Sequence, residues 1–156
     1  MSDALRILRT GSGDAIFLAL EADLDAFLTI LNGEKDDFFS ALNHAVPLQH
    51  AVLAVTGEQA VGCGAFKPLP KGEVEIKRMF VLPEARGVRI AERVLNELLA
   101  WARELGYSRA ILETHVDLTA ARRLYERNGF EVIPNYPPYE DIKTSVCYGW
   151  NIKTRI

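Results

Sequence analysis

Between Ala51 and Leu82 the chain reads as short apolar runs broken by turn residues. Ala51 to Val55 and Ala60 to Phe66 predict paired strands, with Thr56-Gly57-Glu58-Gln59 as the turn between them. Gly62 and Gly64 weaken the second strand and permit a bend or bulge. After a turn over Pro68 to Gly72, Glu73 to Leu82 reads as the next strand. Strict alternation would place Glu73, Glu75, Lys77, Met79 and Val81 on one face and Val74, Ile76, Arg78 and Phe80 on the other. The period then changes. From Val88 to Leu105 the residues Ile90, Ala91, Val94, Leu95, Leu98, Ala102 and Leu105 form one helical stripe, with Gly106 as its stop.

The same reading extends to both ends. Ala4 to Thr10 predicts a first strand, Asp14 to Leu31 a helix stopped by Asn32-Gly33, and Glu34 to Leu42 a shorter helix. Arg109 to Thr114 predicts a buried strand, and Thr119 caps a helix that ends at Asn128-Gly129. Phe130 to Ile133 and Lys143 to Asn151 read as the last strands, with a proline-rich loop from Pro134 to Glu140 between them. The order β-α-α-β-β-β-α-β-α-β-β is that of an α/β or α+β mixed sheet.

Composition narrows the function classes. The chain has 156 residues, which suits one domain over 1–156 with a sizeable core. Its net charge of −3 argues against general binding to nucleic acid or an anionic membrane surface, so any basic site is local. The opening Met-Ser-Asp-Ala-Leu-Arg lacks the apolar core of a signal peptide. Only Cys63 and Cys147 are present, without metal-ligand spacing, which fits a reduced, cytoplasmic setting and no catalytic metal. Both cysteines read as small core hydrophobes, and His44 and His50 as solvated side chains.

The chemistry concentrates after the strand that ends at Leu82. The run Lys77-Arg78-Met79-Phe80-Val81-Leu82-Pro83-Glu84-Ala85-Arg86-Gly87-Val88-Arg89-Ile90-Ala91 joins a strand, a basic glycine-containing loop and a helix start. Unpaired N–H groups and the positive dipole end at such a start suit a phosphate-bearing cofactor. Together with Arg122-Arg123-Leu124-Tyr125-Glu126-Arg127-Asn128-Gly129-Phe130, this run resembles the GNAT superfamily of N-acetyltransferases, and Asn135-Tyr136-Pro137-Pro138-Tyr139 followed by Thr144-Ser145-Val146-Cys147 resembles a bacterial subgroup of it. The resemblance covers most of the chain from Ala51 onward. It implies a GNAT-type fold, α/β (α+β), with a mostly antiparallel twisted sheet of six to seven strands, splayed at its middle, and helices on both faces. It also implies acetyl-CoA as co-substrate.

The family loop follows Arg/Gln-x-x-Gly-x-Gly/Ala. Arg86 and Ala91 match its ends and Gly87 a common extra glycine, while Arg89 stands where the family has its middle glycine. By resemblance, Arg86, Gly87, Val88, Arg89, Ile90 and Ala91 cradle the pyrophosphate, and the backbone of Met79, Phe80 and Val81 pairs with the pantetheine arm. Val81 N–H would hold the acetyl carbonyl as an oxyanion develops. Tyr125, in the frame Ala121-x-x-Leu124-Tyr125-x-x-x-Gly129-Phe130, corresponds to the tyrosine that hydrogen-bonds the coenzyme sulfur and acts as general acid. A family asparagine seven residues before it is Leu118 here, and the neighbouring Thr119 is the substitute coenzyme contact.

Amine acetylation also needs a base. Glu75 is the first candidate; Glu113 and His115, which share a face of the next strand, are acceptor-binding groups, and His115 has the better intrinsic pKa for a base near neutrality. Tyr136 and Tyr139 would wall the amine pocket, and Asp36 and Asp37 would add negative charge for an ammonium. The reading is direct acetyl transfer to a small primary amine, with a homodimer as a possible assembly. Two alternatives stay open: a protein or peptide acceptor, and a CoA-binding sensor without catalysis, which the departures at Arg89 and Leu118 keep alive.

Overall fold

The computed structural model describes residues 4–11, 15, 18, 19, 22, 26, 48–57, 59–85 and 89–152. Its elements are β1 (Leu5–Thr10), β2 (His50–Thr56), β3 (Gln59–Leu69), β4 (Glu73–Val81), α1 (Ile90–Glu104), β5 (Arg109–His115), α2 (Thr119–Arg127), β6 (Glu131–Ile133) and β7 (Ser145–Asn151). Ala15, Leu18, Ala19, Ala22 and Ala26 are helical. The rest of the two helices expected before Leu42 lies outside the described residues, as do Asp36, Asp37 and His44.

The strands form one seven-stranded sheet in the order β1-β2-β3-β4-β5-β7-β6. The pairs β1–β2, β2–β3, β5–β7 and β6–β7 are antiparallel, and β4–β5 is parallel. The sheet is therefore mixed, as expected. The β4–β5 register covers only Glu73↔Arg109 to Ile76↔Leu112, although β4 runs on to Val81 and β5 to His115.

Two compact units emerge from the chain. One draws on Met1–Lys67 and Lys77–Leu98, the other on Pro68–Ile76 and Leu99–Ile156. In the first unit, Leu48, Ala51, Leu53, Val55, Cys63, Ala65 and Phe80 form a buried apolar cluster. The β2–β3 register slips between Ala54↔Gly62 and Val55↔Ala60, so Val61 is the extra residue of a bulge beside Gly62. His50 corrects one expectation. It opens β2 and stacks on Phe66 with ring centroids 4.7 Å apart, and burial lowers its pKa, so it is a packed rather than a solvated side chain.

Gly62 and Gly64 serve close packing against α1. A β-carbon at Gly62 would meet Ile90 Cγ2 at 3.0 Å. One at Gly64 would lie 2.5 Å from Met79 Sδ and 2.9 Å from both Leu98 Cδ1 and Val94 Cγ1. Gly64→Ala is therefore expected to destabilise the fold by about 1–3 kcal/mol through overpacking. Urea unfolding checks this as a lower midpoint with an unchanged slope.

In the second unit, Ala110, Ile111 and Leu112 make β5 a buried strand between β4 and β7. Leu124 and Tyr125 are the buried residues of α2. Arg122 Nε donates to the Tyr148 hydroxyl at 3.1 Å, which donates to Glu126 at 2.7 Å, locking α2 to β7. Gly106 (φ 91°) and Gly129 (φ 93°) follow the two helices in the left-handed region, as their expected role as stops requires. The expected cap at Thr119 is corrected. The N-cap of α2 is Leu118, no side chain caps it, and Thr119 lies exposed within the first turn.

Candidate active site

The phosphate-loop candidates divide at the described boundary. Arg86, Gly87 and Val88 lie outside the described residues. Ile90 is buried and Ala91 half-buried at the start of α1. Arg89 has φ 60°, the left-handed conformation that glycine adopts without a steric cost and that costs an L-residue about 1–2 kcal/mol. Arginine thus holds the backbone geometry that the family's glycine makes easy. Its guanidinium is exposed and pairs with Glu92 at 3.2 Å on the same helix. The Arg93 N–H bonds the Arg89 carbonyl at 3.2 Å, so the N–H groups of Ile90 and Ala91 precede the helical ladder. These features fit an anion at the start of a 15-residue helix.

If Arg89 takes the place of the family's loop glycine, its backbone rather than its side chain would serve the coenzyme. Arg89→Gly is expected to leave acetyl-CoA affinity within about threefold, because the left-handed turn is retained at lower cost. Arg89→Val places a β-branched residue at that φ and is expected to weaken binding about tenfold. Calorimetric titration of both variants separates the two contributions. Equal losses in the two would instead place the binding energy in the guanidinium.

Strict alternation along β4 is interrupted at Arg78, which has φ 61° and is buried. Its carbonyl accepts from the Cys63 thiol at 3.4 Å. Beyond it, Met79 and Val81 side chains abut Gly64 and Gly62, while Phe80 joins the apolar cluster. All three side chains are packing groups, so any cofactor contact from this segment falls to its backbone. The next bonds hold the segment's exit, with Leu82 N–H on the Val61 carbonyl at 2.9 Å and a short 3₁₀ turn over Pro83–Ala85.

The second unit gathers the other candidates. Glu75 is 6% exposed, and the Tyr136 hydroxyl donates to its Oε2 at 2.8 Å. Tyr136 and Tyr139 meet edge to face, with centroids 5.5 Å apart. Burial, followed by the charge of Glu75, raises both phenols far above their ordinary range, so each keeps its proton. Glu113, opposite Cys147 in the register, accepts from the Ser145 hydroxyl at 2.5 Å. Burial pushes the Cys147 thiol up to about 11, with Glu113 and Glu75 adding to the shift. A thiol so held is protonated near neutrality and ill-suited to carry an acetyl group. Cys63 is buried as well, so both cysteines take the core role expected of them.

Tyr125 is buried on α2, its ring 5.8 Å from Phe130 and 6.0 Å from Tyr148. Burial and then the charge of Glu113 hold its phenol above the ordinary range. His115 is half-buried, and its Nδ1 accepts the Asp117 N–H at 3.0 Å. That bond uses the Nδ1 lone pair and, in the neutral ring, leaves the proton on Nε2. Tyr136 is more than a wall, because its hydroxyl is committed to Glu75. No local signal announces that contact, since the two residues stand 61 positions apart.

Among the described residues, no helix is long and apolar enough to cross a membrane, and no group of three or more His, Cys, Asp or Glu side chains is gathered as for a metal ion.

The mixed seven-stranded sheet with a parallel β4–β5 pair has the architecture that the resemblance implied. The model of the acetyltransferase (GNAT) family matches residues 17–130. A Klebsiella pneumoniae subsp. pneumoniae protein assigned as an acyl-CoA N-acyltransferase has a TM-score of 0.80 to this chain at 30% identity, covering 95% of this chain and 97% of its own. An IAA acetyltransferase of Azospirillum brasilense is 34% identical over 128 residues, 81% of this chain and 83% of that protein. An uncharacterized N-acetyltransferase of Schizosaccharomyces pombe is 34% identical over 91 residues, and the match spans 56% of each protein. The chain belongs to the GNAT acetyltransferase family, whose acyl donor is acetyl-CoA.

Proposed function

We propose that this protein transfers acetyl from acetyl-CoA to the primary amine of a small molecule by direct attack. The observation that carries the reading is buried Glu75, held by the Tyr136 hydroxyl at 2.8 Å. A carboxylate so placed would take the proton that an ammonium must lose before it attacks. Glu113 and the Tyr136–Tyr139 pair add negative charge and aromatic surface, which suit binding of a cationic acceptor.

When bound, the coenzyme supplies an activated acetyl thioester. The backbone of Met79, Phe80 and Val81 would hold its pantetheine arm, with Val81 N–H toward the acetyl oxygen. Arg86, Gly87, Val88, Arg89, Ile90 and Ala91 would hold the pyrophosphate, and Thr119 would lie beside the coenzyme. Tyr125 would face the sulfur. Glu113 and His115 would orient the acceptor. The Azospirillum relative is named for IAA, which is in line with a small-molecule acceptor.

Calorimetric titration with acetyl-CoA and dephospho-CoA, followed by acetyl transfer to a panel of small primary amines and of peptides, tests the reading. Micromolar acetyl-CoA binding with turnover of small amines is the expected result. Turnover confined to peptides would transfer the acceptor site to proteins. Binding without turnover on either panel would leave a coenzyme sensor.

A further inference from the structure

The loop that carries Tyr136 is built around one side chain outside the residues assigned so far. Asn135 is half-buried, and its Nδ2 donates to the Ser145 carbonyl at 3.1 Å and the Tyr139 carbonyl at 3.2 Å, with the Ile142 carbonyl 3.5 Å away. A carboxamide nitrogen has two protons to give, and here both are used to draw successive turns of the loop toward the start of β7. Backbone bonds complete the fold-back: Tyr139 N–H to Tyr136 carbonyl at 2.8 Å, Ile142 N–H to Tyr139 carbonyl at 3.1 Å and Ser145 N–H to Ile142 carbonyl at 3.1 Å. Ser145, whose carbonyl receives Asn135, is the residue whose hydroxyl holds Glu113.

We infer that Asn135 is a positioning residue: it fixes the loop so that the Tyr136 hydroxyl reaches Glu75 and the Ser145 hydroxyl reaches Glu113. Both carboxylates on the acceptor side are thus set by one carboxamide that touches neither. The functional part of this inference rests on Glu75 acting as the base, and the geometric part does not. The chemistry explains the residue type. Alanine has no donor, and aspartate would turn an acceptor toward three carbonyl oxygens.

Two measurements address the geometry without any acceptor. In the unmodified protein, NMR should find the Asn135 carboxamide protons protected from exchange with solvent. Rapid exchange would overturn the pin. A crystal structure of Asn135→Ala should show the Tyr136 hydroxyl beyond hydrogen-bond reach of Glu75, and a retained contact would overturn the positioning role. A third measurement uses the best primary amine from the panel above. Misplacement of Glu75 in Asn135→Ala should lower kcat about tenfold while the acetyl-CoA KM stays within about twofold. Tyr136→Phe should do the same, and the double variant should be no worse than either single one, because both changes act on one contact. Losses that multiply to about a hundredfold in the double variant would show that Asn135 does not act through Tyr136. If the unmodified protein turns over no amine, the reading of Glu75 as base fails, while the exchange and crystallographic results still decide the pin.

Discussion

Glu75→Gln is expected to lower kcat for acetyl transfer by about a hundredfold to a thousandfold at neutral pH, the range that a lost general base commands. The fold should survive the change. The glutamine carbonyl can accept the Tyr136 hydroxyl as the carboxylate oxygen does at 2.8 Å, and the side chains are nearly the same size. The pH dependence separates a lost base from a disturbed pocket. Most primary amines are ammonium ions at neutral pH, so the parent enzyme must remove a proton before attack. A variant without its base depends on the free amine that solution supplies, and that fraction rises with pH until it passes the amine's own pKa. The deficit of Glu75→Gln should therefore shrink steadily from pH 7 to pH 10. A deficit of constant size across that range would mean that Glu75 binds the acceptor instead of deprotonating it. A larger loss in Glu113→Gln would transfer the base to β5.

How far such assignments could be read from the chain depends on the kind of interaction each requires. Period and punctuation are local, so the β2–β3 hairpin, α1 and its glycine stop, and β5 as a buried strand were legible in apolar spacing. Observed boundaries differ by only a few residues: α1 expected over Val88 to Leu105 spans Ile90–Glu104, and β3 expected over Ala60 to Phe66 extends over Gln59–Leu69. The motif around Tyr125 was legible as a frame of fixed offsets along α2 and the turn that follows it.

Three features were not legible, for separate reasons. Arg78 and Arg89 adopt left-handed backbone, which no rule of residue preference assigns to arginine, so the break in β4 alternation and the glycine-like turn before α1 were both hidden. Thr119 is a good capping residue by type, yet the chain turns one position earlier and leaves Leu118 at the cap. The grip of Tyr136 on Glu75 and of Ser145 on Glu113 joins residues 61 and 32 positions apart, and sheet topology alone brings them together. Aromatic and acidic character was visible at these positions, but the pairing was not.

The same distinction between residue type and environment bears on Tyr125. A free phenol with a pKa near 10 is a plausible acid for a departing thiolate, whose conjugate thiol lies near 8.5. In the folded protein the ring is 5% exposed, and burial followed by the charge of Glu113 raises the phenol's pKa further. Complete proton transfer from such a group to a thiolate runs uphill. Donation of a hydrogen bond to the sulfur as negative charge builds on it does not, and a buried donor needs little reorganisation to provide it. Tyr125→Phe is accordingly expected to lower kcat about a hundredfold with the acetyl-CoA KM within about threefold, since the bond strengthens only as the thiolate forms. Stability should fall little, because the ring keeps its contacts with Phe130 and Tyr148. The raised phenol also fixes the alkaline behaviour: it remains protonated past pH 10, so loss of its proton should produce no falling limb in the parent kcat profile below that pH. An unchanged kcat in Tyr125→Phe would remove the hydroxyl from the reaction and leave the residue as part of the packing between α2 and β7. A normal kcat with a much larger acetyl-CoA KM would assign it to coenzyme binding alone.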